Sequence, residues 1–204
     1  MSESDLRKQL LFLLKDYPHE ARVRIVITKQ GKIYVMLEPL KRLAREIYEN
    51  GIQVETTDLA RNAPRLKSTA FITASNNERK HIAQEGVFEA LLVKNGKILE
   101  GMTSNFFYVI AGTLYTAEYN ILLGVTRRTV IRVVRGMGLE LKYKPLKLDR
   151  LKVPSEAFIT SSSRGVVPVV QIDDVVVGQG RPGRITKQLS AAYEAYVLAK
   201  AELI

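Results

Sequence analysis

Residues 100–128 read EGMTSNFFYVIAGTLYTAEYNILLGVTRR. Glu100 opens a polar turn that ends at Asn105. Residues 106–110 and 113–115 are two short β-rich runs joined by Ala111-Gly112, the pattern of two strands across a turn. Gly124-Val125-Thr126 then leads into a helix predicted over 127–137, apolar at Val130, Val133, Val134 and Met137 and basic on the opposite face. A small turn carrying a hydroxyl at a helix start leaves backbone N–H groups unpaired at the positive end of the helix dipole. Such a place suits an anion, a phosphate best of all. An ordinary helix cap uses the same residues, so the turn alone does not separate the two readings.

Composition bounds the answer. The 204 residues suffice to bury a core in one large domain or two small ones. A content of 46% hydrophobic and 25% charged residues is ordinary for a globular chain. Without cysteine there is no disulfide framework, thiolate nucleophile or zinc–thiolate site, and two isolated histidines argue against a metal centre. No apolar run reaches membrane-spanning length and the N-terminus lacks a signal-peptide layout, so a soluble, cytoplasmic protein with no membrane partner is expected. A net charge of +10 raises nucleic-acid binding as a rival function. The basic residues are spread along the chain without a reader motif, and no nucleic-acid partner is expected.

An acidic residue, Asn-Phe-Phe, a threonine after an aromatic and Gly-Val-Thr-Arg, in that order, resemble the signature of the class IV pyridoxal-phosphate aminotransferases. That family includes branched-chain aminotransferases, D-amino-acid aminotransferases and aminodeoxychorismate lyases. The resemblance implies a mixed α/β fold, with a large cofactor-binding domain over 51–204 built on a mixed, partly barrel-like sheet. Ahead of it, residues 1–50 would form an incomplete small α+β domain, since relatives carry several dozen further residues before this point. Those residues supply an arginine for the cofactor phosphate and pocket-lining aromatics. The resemblance also implies pyridoxal 5′-phosphate as cofactor and a homodimer.

Carried onto this chain, the family pattern makes Lys67 the Schiff-base lysine and general base, and Glu100 the carboxylate facing the ring nitrogen. Asn105 would brace that wall and Leu122 pack against the ring, while Val125, Thr126, Ser161 and Ser162 would hold the phosphate. Arg24 and Arg164 would meet the substrate. Each residue has a plainer reading as well. Lys67 is one lysine among many, although its place between Leu66 and the run 68–72 predicts partial desolvation and a lowered pKa. Arg24 reads equally as a solvent-facing strand arginine, Arg164 as half of an internal ion pair, and the serine cluster as local backbone capping.

The rest of the chain supports this organisation. A helix is expected over 2–15 with Ser4 as a cap, then a hairpin of strands 21–28 and 32–37 across Gly31. A short helix over 39–50 would connect the domains, and a strand begins at 52. A helix over 71–85 precedes a hairpin, 88–93 and 97–99, across Asn95-Gly96, which delivers Glu100 to a strand end. Strands at 139–143 and from 156, a basic connector over 148–153, a hairpin over 169–177 and a helix from about 183 to 203 complete the chain. The leading function is transfer of an amino group between a branched-chain-like amino acid and a 2-oxo acid. The alternatives are the lyase chemistry of the same fold, a non-catalytic fragment, and a basic nucleic-acid binder.

Overall fold

A computed structural model describes residues 2–201. The chain falls into two compact units, one running to Leu43 together with Lys200 and Ala201, the other Ala44–Ala199.

The first unit holds α1 (Glu3–Leu14) and the strands β1 (Ala21–Ile27) and β2 (Ile33–Pro39). Ser2, rather than Ser4, caps α1. Its hydroxyl accepts from the Asp5 N–H while the Asp5 carboxylate accepts from the Ser2 N–H, and only Ser2 has an acidic residue at the third helical position to reciprocate. β1 and β2 pair antiparallel from Ala21↔Pro39 to Ile27↔Ile33. Helix α1 buries none of its residues, and Ile25, Ile27, Tyr34 and Met36 of the hairpin are exposed.

The second unit begins with α2 (Arg45–Asn50), β3 (Ile52–Thr57), α3 (Ala70–Ala74), α4 (Asn76–Glu85), β4 (Glu89–Lys94) and β5 (Lys97–Gly101). It continues with β6 (Asn105–Ile110), β7 (Thr113–Thr116), α5 (Val125–Gly136), β8 (Leu141–Tyr143) and β9 (Leu146–Lys147). Strands β10 (Glu156–Ser161), β11 (Gly165–Ile172) and β12 (Val175–Val176) and helix α6 (Arg184–Ala199) finish it. The division between units lies at 43/44 instead of the expected 50/51. Helix α2 is tied to the turn before β11, where the Tyr48 hydroxyl donates to the Arg164 carbonyl at 2.8 Å.

Six strands close into a ring in the order β6-β10-β11-β3-β4-β5, returning to β6 through the pair Glu100↔Asn105. The β11–β3, β3–β4 and β7–β8 pairs are parallel and the others antiparallel, so the sheet is mixed and partly barrel-like. Two hairpins make the ring possible. Asn95 and Gly96 (φ 52° and 66°), and Ala111 and Gly112 (φ 48° and 81°), all take left-handed backbone, the conformation of a two-residue type I′ turn. The larger core joins α5 and α6 to the sheet through Phe107, Val130, Val134, Phe158 and Leu189, with the two phenylalanine rings stacked at 5.0 Å. A smaller cluster, including Phe71, Ile82, Leu92 and Met102, holds α3 and α4 against β4.

Three helices differ from expectation. The helix expected over 39–50 covers only Arg45–Asn50, since Pro39 ends β2. The helix expected over 71–85 breaks at Ser75, whose buried hydroxyl donates to the Phe71 carbonyl at 2.7 Å. A serine bonding back to the preceding turn competes with the helical ladder and bends it. The last helix ends at Ala199, and residues 202–203 of the expected span lie outside the described residues. Its start is capped from across the fold. The Glu156 carboxylate accepts from the Ile185 N–H, the Thr186 N–H and the Thr186 hydroxyl at 3.1, 2.7 and 2.7 Å. A methyl group on Gly183 would overlap the Glu156 side chain. Both Glu156→Ala and Gly183→Ala are therefore expected to lower stability by about 1–3 kcal/mol, seen as an earlier denaturant midpoint at unchanged slope. Among the described residues no helix is long and apolar enough to cross a membrane, and no cluster of three metal-ligating side chains occurs.

Candidate active site

The ring closure brings the ends of three strands into one row. Glu100 on β5 pairs with Asn105 on β6, and Asn105 pairs with Thr160 on β10. Glu100 is 1% exposed, an unusual place for a carboxylate, and each of its oxygens is engaged. Oε1 accepts from Arg61 Nε at 3.1 Å, and Oε2 accepts from the Leu122 N–H at 2.9 Å and from Asn105 Nδ2 at 3.3 Å. Burial pushes its pKa up to about 7, with the Leu122 N–H and Arg61 pulling it down and the nearby Glu89 carboxylate adding a further upward push. The group is thus poised between charged and neutral forms near physiological pH, as groups at catalytic centres often are.

Asn105 ties this carboxylate to the start of α5. Its Nδ2 also donates to the Leu122 carbonyl at 2.8 Å, and Gly124 lies so close that a methyl group there would strike Asn105 Oδ1. Gly124 is the residue before α5, and no side chain caps that end. The first bond of the helix ladder runs from the Arg128 N–H to the Gly124 carbonyl, so the Val125, Thr126 and Arg127 N–H groups have no partner among the described residues. They point from the positive end of a 12-residue helix, an anion site by construction. Gly124→Ala is expected to push Asn105 aside and weaken phosphate-anion binding at this end by tenfold or more, roughly 1.4 kcal/mol, measurable by titration.

Ser161 ends β10, and Ser162 lies in the turn that follows. Arg164, expected to reach a substrate carboxylate, is instead held inside the protein. Its Nε donates to Ser161 Oγ at 2.9 Å and its Nη2 to Thr103 Oγ1 at 2.6 Å. The same Nη2 lies 2.9 Å from Glu89 Oε2 as a close ion pair without hydrogen-bond alignment. Glu89 is 2% exposed, so the nearest guanidinium stands opposite a deeply buried carboxylate. Ser162 is exposed.

Lys67 lies in the irregular segment between β3 and α3. The partial desolvation expected for it is absent: the side chain is exposed and makes no hydrogen bond or ion pair among the described residues. Nearby basic residues anchor the segment. Arg61 reaches Glu100 and, through Nη2, the Met102 carbonyl at 3.0 Å, with its guanidinium 3.9 Å above the Phe71 ring, while Arg65 donates to the Glu118 carbonyl at 3.1 Å. Leu66 is exposed as well, so no apolar wall forms around the lysine. In the first unit Arg24 sits on β1, where its guanidinium pairs with Glu38 of β2 at 3.1 Å.

Arg61, Thr103 and Glu89 are the members of this site that sequence reasoning missed. Arg61 and Glu89 are ordinary charged residues in the sequence, and only their deep burial distinguishes them.

The family description "Amino-transferase class IV" matches residues 1–172. The chain is 32% identical over 177 residues to a D-alanine aminotransferase of Bacillus licheniformis, covering 85% of this chain and 61% of that one. It is 31% identical over 162 residues to a branched-chain-amino-acid aminotransferase of Escherichia coli K12, covering 74% and 52%. Among solved structures, a putative branched-chain amino acid aminotransferase from Thermotoga maritima superposes with a TM-score of 0.83 at 25% identity, over 97% of this chain and 73% of that one. The T.th. branched-chain amino acid aminotransferase, solved with pyridoxamine 5′-phosphate, gives a TM-score of 0.77 at 27% identity, over 85% and 60%. The chain thus spans between half and two thirds of the length of the curated relatives named here.

Proposed function

The chain belongs to the class IV aminotransferase family, and on that premise we propose that it moves an amino group between an amino acid and a 2-oxo acid, with pyridoxal 5′-phosphate as cofactor. The observation that carries this reading is the buried Glu100, two hydrogen-bonded residues away from an uncapped helix N-terminus: Asn105 and Leu122 join the two. A carboxylate opposite a ring nitrogen and unpaired N–H groups for a phosphate are what this cofactor needs at its two ends. Two buried hydroxyls nearby, Ser104 Oγ in the turn before β6 and Thr160 Oγ1 on β10, have no hydrogen-bond partner among the described residues.

When bound, the cofactor supplies an aldehyde for amines and a ring that accepts electron density from the substrate α-carbon. The remaining work falls to the chain. Glu100, negative beside a ring cation, favours the protonated ring nitrogen. Asn105 fixes the carboxylate in place and Leu122 packs against the ring. Val125, Thr126, Ser161 and Ser162 hold the phosphate, with Arg164 orienting the Ser161 hydroxyl. Lys67 would be the lysine that holds the cofactor, and its amine would carry the proton to and from the substrate α-carbon. Relatives named for branched-chain amino acids support a branched-chain-like donor, and the same reading carries a homodimeric, cytoplasmic protein.

Titration with pyridoxal phosphate, followed by borohydride reduction and peptide mass mapping, tests the proposal. The expected result is a visible absorbance band and a mass increment on the peptide bearing Lys67. A colourless protein with no increment at that lysine would overturn it.

A further inference from the structure

The outer face of α5 carries a basic groove that the proposed amino-transfer chemistry does not use. It has a volume of about 350 Å³ and is lined by Arg127, Arg128, Arg132, Arg135, Ile131 and Tyr143. Arg128, Arg132 and Arg135 follow one another at helical spacing, so their guanidinium groups line one side of the helix over about 10 Å. All three are exposed. Their hydrogen bonds go to phenols: Arg132 Nη1 donates to the Tyr196 hydroxyl at 2.6 Å and Arg135 Nη2 reaches the Tyr143 hydroxyl at 3.4 Å. None of the four arginines forms an ion pair with a carboxylate among the described residues.

Arg127 lines the same groove. It is 4% exposed, its Nη2 donates to the Ala117 carbonyl at 2.8 Å, and its Nε has no partner among the described residues. Burial pushes its pKa downward, with Tyr143, Glu118 and Glu100 pulling it back up, and a guanidinium stays protonated at neutral pH. A buried guanidinium whose Nε has no acceptor among the described residues, lining a groove walled by three more guanidiniums, suits an anion carrying several charges.

We propose that this groove binds a small polyphosphate anion, of the nucleoside di- or triphosphate class. Guanidinium forks suit phosphate oxygens, and three of them within about 10 Å match the reach of a chain of two or three phosphates. The volume suits a small molecule. A nucleic-acid strand needs a basic track longer than one helix face, and the remaining basic residues are dispersed.

The test is calorimetric titration of the full chain with ATP, with pyrophosphate and with a short oligonucleotide, at low and at physiological salt. The double variant Arg132→Gln/Arg135→Gln is compared with Lys80→Gln/Lys94→Gln, which makes the same change in net charge on other elements. Saturable binding of ATP and pyrophosphate is expected, weakened about tenfold or more in the arginine variant and unaltered in the lysine variant. Loading with pyridoxal phosphate, followed by absorbance, stays normal in both, which keeps this site separate from the cofactor site. Equal loss in the two variants, binding of the oligonucleotide alone, or no saturable binding would overturn the proposal. Because the altered side chains are exposed, circular dichroism is expected to show unchanged folding.

Discussion

Lys67→Ala is expected to lower transamination by roughly 10²–10⁴-fold, the span that a positioned proton-transfer group contributes, while leaving the fold intact. The two effects separate because of where the lysine sits. Its side chain is exposed and unbonded among the described residues, so its removal creates no cavity and strands no partner. A stability change within about 0.5 kcal/mol follows from that position. Borohydride would then fix no cofactor at residue 67. Lys67→Arg is expected to fail as well, since a guanidinium stays protonated and is no nucleophile at neutral pH. An added small amine should return part of the lost rate by supplying the proton carrier from solution. Full activity in Lys67→Ala would remove this residue from the chemistry, whatever the fold.

Glu100→Gln carries the second large effect, and it reads out in stability as well as rate. The folded carboxyl has a pKa near 7 against an ordinary 4.5, chiefly through burial. Between those two values the folded chain holds a proton that the unfolded chain has released. Stability from this group is therefore fully present below pH 4.5 and declines as pH rises through 7, by about 3 kcal/mol in all. Glutamine does not titrate, so the variant's denaturation midpoint should lose this downward trend between pH 5 and pH 8 in the cofactor-free protein. Transamination should fall by about 10²–10³-fold, the usual cost of removing one preorganised electrostatic partner from a reacting centre. A pH trend identical in variant and wild type would show that another group titrates. An unchanged rate would show that Glu100 does not face the ring.

The local grammar of the chain was readable in advance. Asn95-Gly96 and Ala111-Gly112 marked two hairpins because consecutive left-handed residues are a local backbone requirement. Gly124-Val125-Thr126 marked the start of α5, and the strand leading to Glu100 followed from the first hairpin. Helix ends were less readable where a side chain acts on its own backbone, as Ser75 does, or where the cap comes from far away, as Glu156 does for α6.

Arg164 and Lys67 show the limit most clearly. A sequence gives the arginine its charge but not its partner, and Thr103, separated from it by 61 residues, met it only through folding. Arg61 reaches Glu100 across 39 residues, and nothing around it in the chain sets it apart from other arginines. Lys67 stands beside an apolar run, yet Leu66 is exposed too, so neighbours in sequence did not become a dry wall in space.

By itself, then, the sequence determined the tight turns, the longer strands, the place where α5 starts and the residue types of the site, because each depends on backbone preferences within a few positions. Ring closure through Glu100 and Asn105, the burial that moves the Glu100 pKa, and the choice of ion-pair partners were decided only by tertiary structure. The reason is dielectric and geometric. How strongly a charge is felt, and by which neighbour, is set by how much water the packed chain leaves between them.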